Sequence, residues 1–128
     1  MTREIKFRVW DIPGNLYWGK GEGMDIKKIA FNFYDQLFVD DTFVFQQYTG
    51  VNDKNNKEIY EGDLMVFDKD GHREYRYTVV FSHGKFELKM PNAKMNIDIE
   101  WRHEMVKVGN IFENKDLICI EKKIGINQ

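Results

Sequence analysis

The sequence predicts an all-β protein, and three observations carry that expectation. Ile5, Phe7 and Val9 alternate with Lys6 and Arg8 at the start of the chain, the period of two that marks a strand with one buried face. Short apolar segments then recur along the chain, separated by turn residues, as in small sandwiches and barrels. Aromatic residues occupy 15% of the 128 positions, which implies a packed core because each ring buries a large area.

The elements follow in order. Pro13-Gly14-Asn15 is a turn cluster, because Pro presets φ while Gly and Asn tolerate positive φ. Leu16-Tyr17-Trp18 then reads as a returning strand that completes a first hairpin. Residues 19–23 form a flexible Gly-rich loop without the Gly-Lys-Ser/Thr that a phosphate loop requires. Over residues 24–33 two periods compete: Ile26, Ile29, Ala30 and Phe33 fit a helix, while Ile29, Phe31 and Phe33 fit a strand. Their β-branched and aromatic content favours the strand. Asp40-Asp41 marks a turn, and residues 42–48 read as a strand with Phe43 and Phe45 on one face and Val44 on the other.

Residues 49–63 are polar and rich in Asn, Asp, Lys and Gly, the composition of a long loop. Beyond them Leu64-Met65-Val66-Phe67 is a short strand, followed by the turn Asp68-Lys69-Asp70-Gly71. A strand over residues 75–81 leads through the turn Ser82-His83-Gly84-Lys85 into Phe86-Glu87-Leu88. Ile97, Ile99 and Trp101 alternate with Asp98 and Glu100 as a further strand, and Val106-Lys107-Val108 and Ile118-Cys119-Ile120 supply the last two. The C-terminal part therefore suggests a small SH3-like barrel, with the N-terminal hairpin packed on it as an extension. One domain over residues 1–128 accommodates this, divided at most into a β subdomain 1–48 and a barrel subdomain 49–122.

Charge and composition narrow the function classes. A net charge of −2 lacks the positive excess of a non-specific nucleic-acid binder. Cys119 has no second cysteine for a disulfide or a CxxC motif, and its apolar neighbours mark it as a buried small hydrophobe. No apolar stretch reaches the roughly 18 residues of a membrane span. The charged opening Met1-Thr2-Arg3-Glu4-Ile5-Lys6 differs from a signal peptide. A cytoplasmic location is the resulting expectation.

Several motifs bring a family to mind. Ile5-Lys6-Phe7-Arg8-Val9-Trp10-Asp11 opens the chain. Gln47-Tyr48-Thr49-Gly50 and the run from Asp53 through Ile59-Tyr60-Glu61-Gly62-Asp63 stand in the middle. Val79-Val80-Phe81 with Gly84-Lys85-Phe86 comes next, and Val108-Gly109-Asn110-Ile111-Phe112-Glu113-Asn114 closes the series. In this order and spacing the chain resembles the YopX family of small phage and prophage proteins. The resemblance implies a β-rich fold and an infected or lysogenic bacterial cell as its setting. It implies no mechanism and no catalytic residues.

No catalytic, metal or cofactor constellation stands out. Asp53, Asn55 and Lys57 alternate as in a calcium loop, but Glu58 and Leu64 fall where an EF-hand needs Gly and an acidic ligand. His72, His83 and His103 share no metal-ligand spacing. Asp40 and Asp41, adjacent in a strand or turn, point apart rather than pairing for acid–base work.

The leading candidate surface is an interaction loop carrying Tyr48, Thr49, Gly50, Asp53, Lys54, Lys57, Tyr60, Glu61 and Asp63. Turn-building and loop-pinning roles for the same residues compete with that reading. The alternative is a basic surface of Lys6, Arg8, Arg73, Arg76, Lys85 and Lys89 beside Tyr75 or Tyr77. The expected function is thus a non-enzymatic module that binds a host or phage protein, with a nucleic-acid-binding small barrel as the alternative. Exposed strand edges also leave room for a homo-oligomer.

Overall fold

The alternating N-terminal segment becomes β1 (Lys6–Asp11) and folds back as β2 (Leu16–Tyr17), a 3-10 segment over Trp18–Gly21 and the short β3 (Met24–Asp25). Helix α1 (Ile26–Phe33) follows, then the long β4 (Phe43–Asn52) and β5 (Glu58–Tyr60). The remaining strands are β6 (Asp63–Phe67), β7 (Tyr77–Ser82), β8 (Lys85–Lys89), β9 (Ile97–Asp98) and β10 (Met105–Asn110), with a 3-10 segment over Ile99–Glu104 before the last. These assignments come from a computed structural model that describes residues 4–33, 42–68, 75–90 and 93–115. Asp40-Asp41, Lys69-Asp70-Gly71 and Ile118-Cys119-Ile120 lie outside the described residues.

Two curled antiparallel sheets build a mainly β half-barrel. The first has the order β2-β1-β4-β5, with β3 also paired to β1, and the second the order β10-β6-β7-β8-β9. Each has its own apolar core. In the first sheet Val9 and Ile29 are buried, with Phe7, Met24, Phe43 and Phe45 packed around them. In the second, Ile59, Met65, Tyr77, Val79, Leu88 and Met105 form the buried cluster. Ile59 belongs to β5, so the β4–β5 hairpin carries the first sheet into the core of the second.

The turn at residues 82–85 forms as the sequence predicts. His83 (φ 56°) and Gly84 (φ 77°) both take positive φ, which matches the right-handed strand twist in a two-residue hairpin. Three other expectations change. Residues 24–33 form mostly a helix, because the Asp25 carboxylate accepts the Lys28 N–H at 2.9 Å and caps its first turn. Ile29 faces Val9, whereas Phe31, which a strand would place beside Ile29, is 88% exposed.

Residues 49–63 are not a long loop. β4 continues through Tyr48 and Thr49 to Asn52 and pairs with β5, leaving only a tight turn between them. The alternation at residues 97–101 stops after Asp98, whose side chain accepts the Glu100 N–H at 2.9 Å and tightens the backbone into the 3-10 segment.

The helix cap gives the first prediction. Asp25→Ala should destabilise the protein by about 1 kcal/mol, read from the midpoint of urea unfolding. An unchanged midpoint would show that the cap does not hold α1.

Candidate functional site

Most polar groups of the 48–63 segment serve the backbone. Asp53 Oδ1 accepts the N–H groups of Asn55 (2.8 Å) and Lys57 (2.9 Å), closing the turn between β4 and β5. Its Oδ2 accepts the Lys107 N–H at 2.9 Å, tying that turn to β10. The Thr49 hydroxyl donates to the Ile59 carbonyl at 2.8 Å, and Gly50 takes φ +90° where the pairing with β5 shifts register. Tyr48 and Tyr60 are buried, their rings 5.5 Å apart. On the surface remain Lys54, 3.1 Å from Asp68, exposed Lys57, and half-buried Glu61.

Asp63 is fully buried and meets a cation that the sequence placed on a surface. The Arg8 Nη1 lies 2.8 Å from Asp63 Oδ1, an ion contact that falls out of line for a hydrogen bond. Arg8 is only 4% exposed. Its Nε donates to Gln46 Oε1 (2.7 Å) and its Nη2 to the Glu61 carbonyl (3.2 Å). The guanidinium lies between two aromatic faces, 4.8 Å from the Tyr17 ring and 5.0 Å from the Tyr60 ring. Tyr17 donates its hydroxyl to the same Gln46 oxygen at 2.7 Å. Asp63 Oδ2 accepts the Tyr60 N–H at 2.7 Å and has the Lys107 ammonium 3.4 Å away.

Burial pushes the Asp63 carboxyl above its ordinary value, against the pull of Arg8, Lys107 and the Tyr60 N–H. Burial likewise raises the Tyr17 and Tyr60 phenols well above 10.0; Asp63 and Glu113 add to it at Tyr17, Glu58 at Tyr60, and Arg8 opposes it at both.

The proposed basic surface is therefore divided. Lys6 and Arg8 share a face of β1, as expected, but that face packs against the rest of the chain rather than water. Lys6 bonds Glu58 and stands 5.0 Å over the Tyr48 ring. Lys85 and Lys89 are exposed at the two ends of β8, whose middle residues, Glu87 among them, are buried, and Asp98 pairs opposite Glu87. Arg76 is half-buried, and Arg73 lies outside the described residues. Ser82 and Glu87 both contact His83, but through the same Nδ1 (3.0 and 3.2 Å). A nucleophile–base–orienter relay would need one partner on each ring nitrogen. Among the described residues no three His, Cys, Asp or Glu side chains gather to hold a metal, and no helix is long and apolar enough to cross a membrane.

Among the described residues there is also a concave feature. Val44 and Phe45 of β4, Val80 and Phe81 of β7, and Ile111 and Phe112 after β10 line a half-open groove of about 270 Å³. Among the described residues Glu61 is the one ionisable residue lining it. Asn110 positions the last wall: its Oδ1 accepts the N–H groups of Phe112 (3.0 Å) and Glu113 (2.8 Å). Phe112 stacks on Trp10 at 4.9 Å, with the planes 7° apart.

The family model described as YopX protein matches residues 6–119. The chain belongs to the YopX family. A crystal structure of protein EF1440 from Enterococcus faecalis is similar in fold, with a TM-score of 0.62 and 23% identity. The match covers 91% of this chain and 99% of that one. Comparison with curated proteins gives no match.

For this YopX-family chain, reading the sequence missed Gln46, Tyr17 and Lys107 as partners of the central ion pair. It also missed the seating of Phe112 on Trp10. An arginine within an apolar alternating strand was the available signal for the ion pair. The Gly109-Asn110 step before Ile111-Phe112 was the signal for the second.

Two predictions arise from the buried cluster. Arg8→Met leaves Asp63 buried without its main cation and should cost about 3–5 kcal/mol, while Arg8→Met with Asp63→Leu should recover much of that loss. Because the raised Asp63 pKa lets the folded state hold a proton that the unfolded chain has released, the contribution of this one group to stability is complete below the ordinary aspartate range and is lost as pH rises through its raised value. The deficit of Arg8→Met should accordingly shrink on acidification, measured by urea unfolding across pH. A double variant as unstable as the single one would overturn this account.

Tyr17 and Tyr60 should stay protonated above pH 10 until the fold opens. Unfolded tyrosines release their protons near 10.0, so stability conferred by the neutral buried phenols is complete below that pH and is lost above it. Absorbance titration of phenolate alongside circular dichroism checks this. Ionisation of every tyrosine near pH 10 with the fold intact would refute it.

Proposed function

We propose that this YopX-family chain is a non-enzymatic protein-interaction module, an accessory protein of a phage or prophage that binds a host or phage protein in the bacterial cytoplasm. The observation that carries the reading is the apolar groove between β4 and β7. At about 270 Å³ and half-open, it is below the roughly 300–1,000 Å³ of pockets that enclose drug-sized molecules. It suits two or three side chains of another protein better than an enclosed substrate. The five-stranded curled sheet β10-β6-β7-β8-β9 supports kinship of the C-terminal part with small SH3-like barrels. Such barrels host many binding roles, so the groove rather than the fold supports the function.

The nucleic-acid alternative draws less support, since Arg8 and Lys6 are occupied by Asp63 and Glu58 and the chain is acidic overall. Affinity capture of the tagged protein from host cells after prophage induction, with and without nuclease, tests the reading. A stoichiometric protein that survives nuclease is the expected result. Recovery of nucleic acid alone, or of no specific protein, would count against it.

A further inference from the structure

Resting on that interaction-module reading, we infer that the groove takes an extended apolar segment of a partner protein, added as a strand along β7, with a lysine or arginine of that segment beside Glu61.

The backbone of β7 sets this direction. The Val79 carbonyl accepts the Gly62 N–H at 2.8 Å, so at Val79 the backbone groups point away from β8. Backbone groups two residues apart in a strand point the same way, which turns the N–H and C=O of Phe81 toward the groove. β6 begins at Asp63 and pairs with Thr78 and Tyr77, so it ends short of Phe81. The chain next to it does not fill the gap. Glu61 donates its N–H to the Gln47 carbonyl (2.9 Å), and its carbonyl accepts from Arg8 Nη2 (3.2 Å). Among the described strands, none lies between Phe81 and the β4 wall. A strand edge of this kind is a template for main-chain pairing.

The side chains define the chemistry of the occupant. The apolar residues that line the groove, among them Val44, Phe45, Val80, Phe81, Ile111 and Phe112, call for apolar side chains at alternate positions of the incoming strand. Phe81 is 55% exposed despite its edge-on contact with Phe86, 5.1 Å between centroids. Among the described lining residues Glu61 supplies the single negative charge, so a cationic residue at that point completes the match.

A synthetic peptide of alternating valine and threonine with one lysine is the probe, titrated into the isotope-labelled full chain and followed by amide NMR shifts. Shifts should concentrate at Val80, Phe81 and Phe45. A central proline should abolish binding by removing a main-chain donor. Replacing the peptide lysine with glutamate, or Glu61→Gln in the protein, should each weaken binding about twofold to fivefold, the strength of a partly exposed ion pair. Phe81→Lys, at an exposed position that leaves the fold intact by circular dichroism, should abolish it.

No shifts in the groove at high peptide concentration, or equal binding by the proline peptide, would overturn the inference. So would a mass doubling in sedimentation that Phe81→Lys removes, which would make a second copy the occupant. Peptide binding that appears only after deletion of residues 116–128 would likewise assign the groove to the chain itself. If a nuclease-resistant protein partner is still captured by Phe81→Lys, the interaction-module reading stands and the groove assignment fails. If the wild type captures none, the reading itself fails.

Discussion

The contact between Arg8 and Asp63 is the constraint on which the rest of the architecture depends. It joins β1 of the first sheet to β6 of the second, where neither charge is exposed to water. Removing two charges from solvent costs several kcal/mol per ion, and their attraction repays this only with good geometry and further hydrogen bonds. Gln46, the Glu61 carbonyl, the Tyr60 N–H and Lys107 supply those bonds and charges, and the rings of Tyr17 and Tyr60 cover the guanidinium. A buried pair of this kind is weak evidence for net stability, but its geometry ties the register of β1 to that of β6. A one-residue slip of β1 would turn Arg8 to the Val9 face and leave Asp63 without its main counter-ion.

Around that pair, polar side chains do work that a hydrophobic core cannot. Asp53 fastens the β4–β5 turn to itself and to β10, while the Lys107 ammonium reaches the Glu58 carbonyl at 2.8 Å. Asn110 and Asn114 brace the last turn, with Asn114 Oδ1 accepting the Asn110 N–H at 3.1 Å. Gly62 has φ +88°, and a β-carbon there would run into the Gln46 amide. The motifs that give the chain its family likeness are thus chiefly the ones that hold two small sheets in register. The apolar groove lies where that register ends, between strands that the half-barrel does not bring together.

Much of the fold was legible because it rests on local signals. The alternation of β1, the apolar run of β6 and the His83-Gly84 turn all report strand or turn preference within a few residues. Where local signals conflicted, the outcome depended on one capping group or one distant partner. Asp25 turned residues 26–33 into a helix despite their β-branched and aromatic content. Residues 49–63 looked like a loop because polar composition is the usual mark of one. Here Thr49, Asp53 and Asp63 bond to backbone inside the protein, so their polarity marks interior satisfaction rather than exposure.

The sequence by itself determined a mainly β chain, the places of most strands and turns, and the absence of a positive excess, because period, turn chemistry and net charge are local or additive properties. Only the tertiary structure decided which cations face water and which are buried. Arg8 finds Gln46 38 residues away and Glu61 53 residues away. No local pattern encodes a partner at that distance. The groove between β4 and β7 has the same origin, since its walls meet only after two sheets have folded around one buried ion pair.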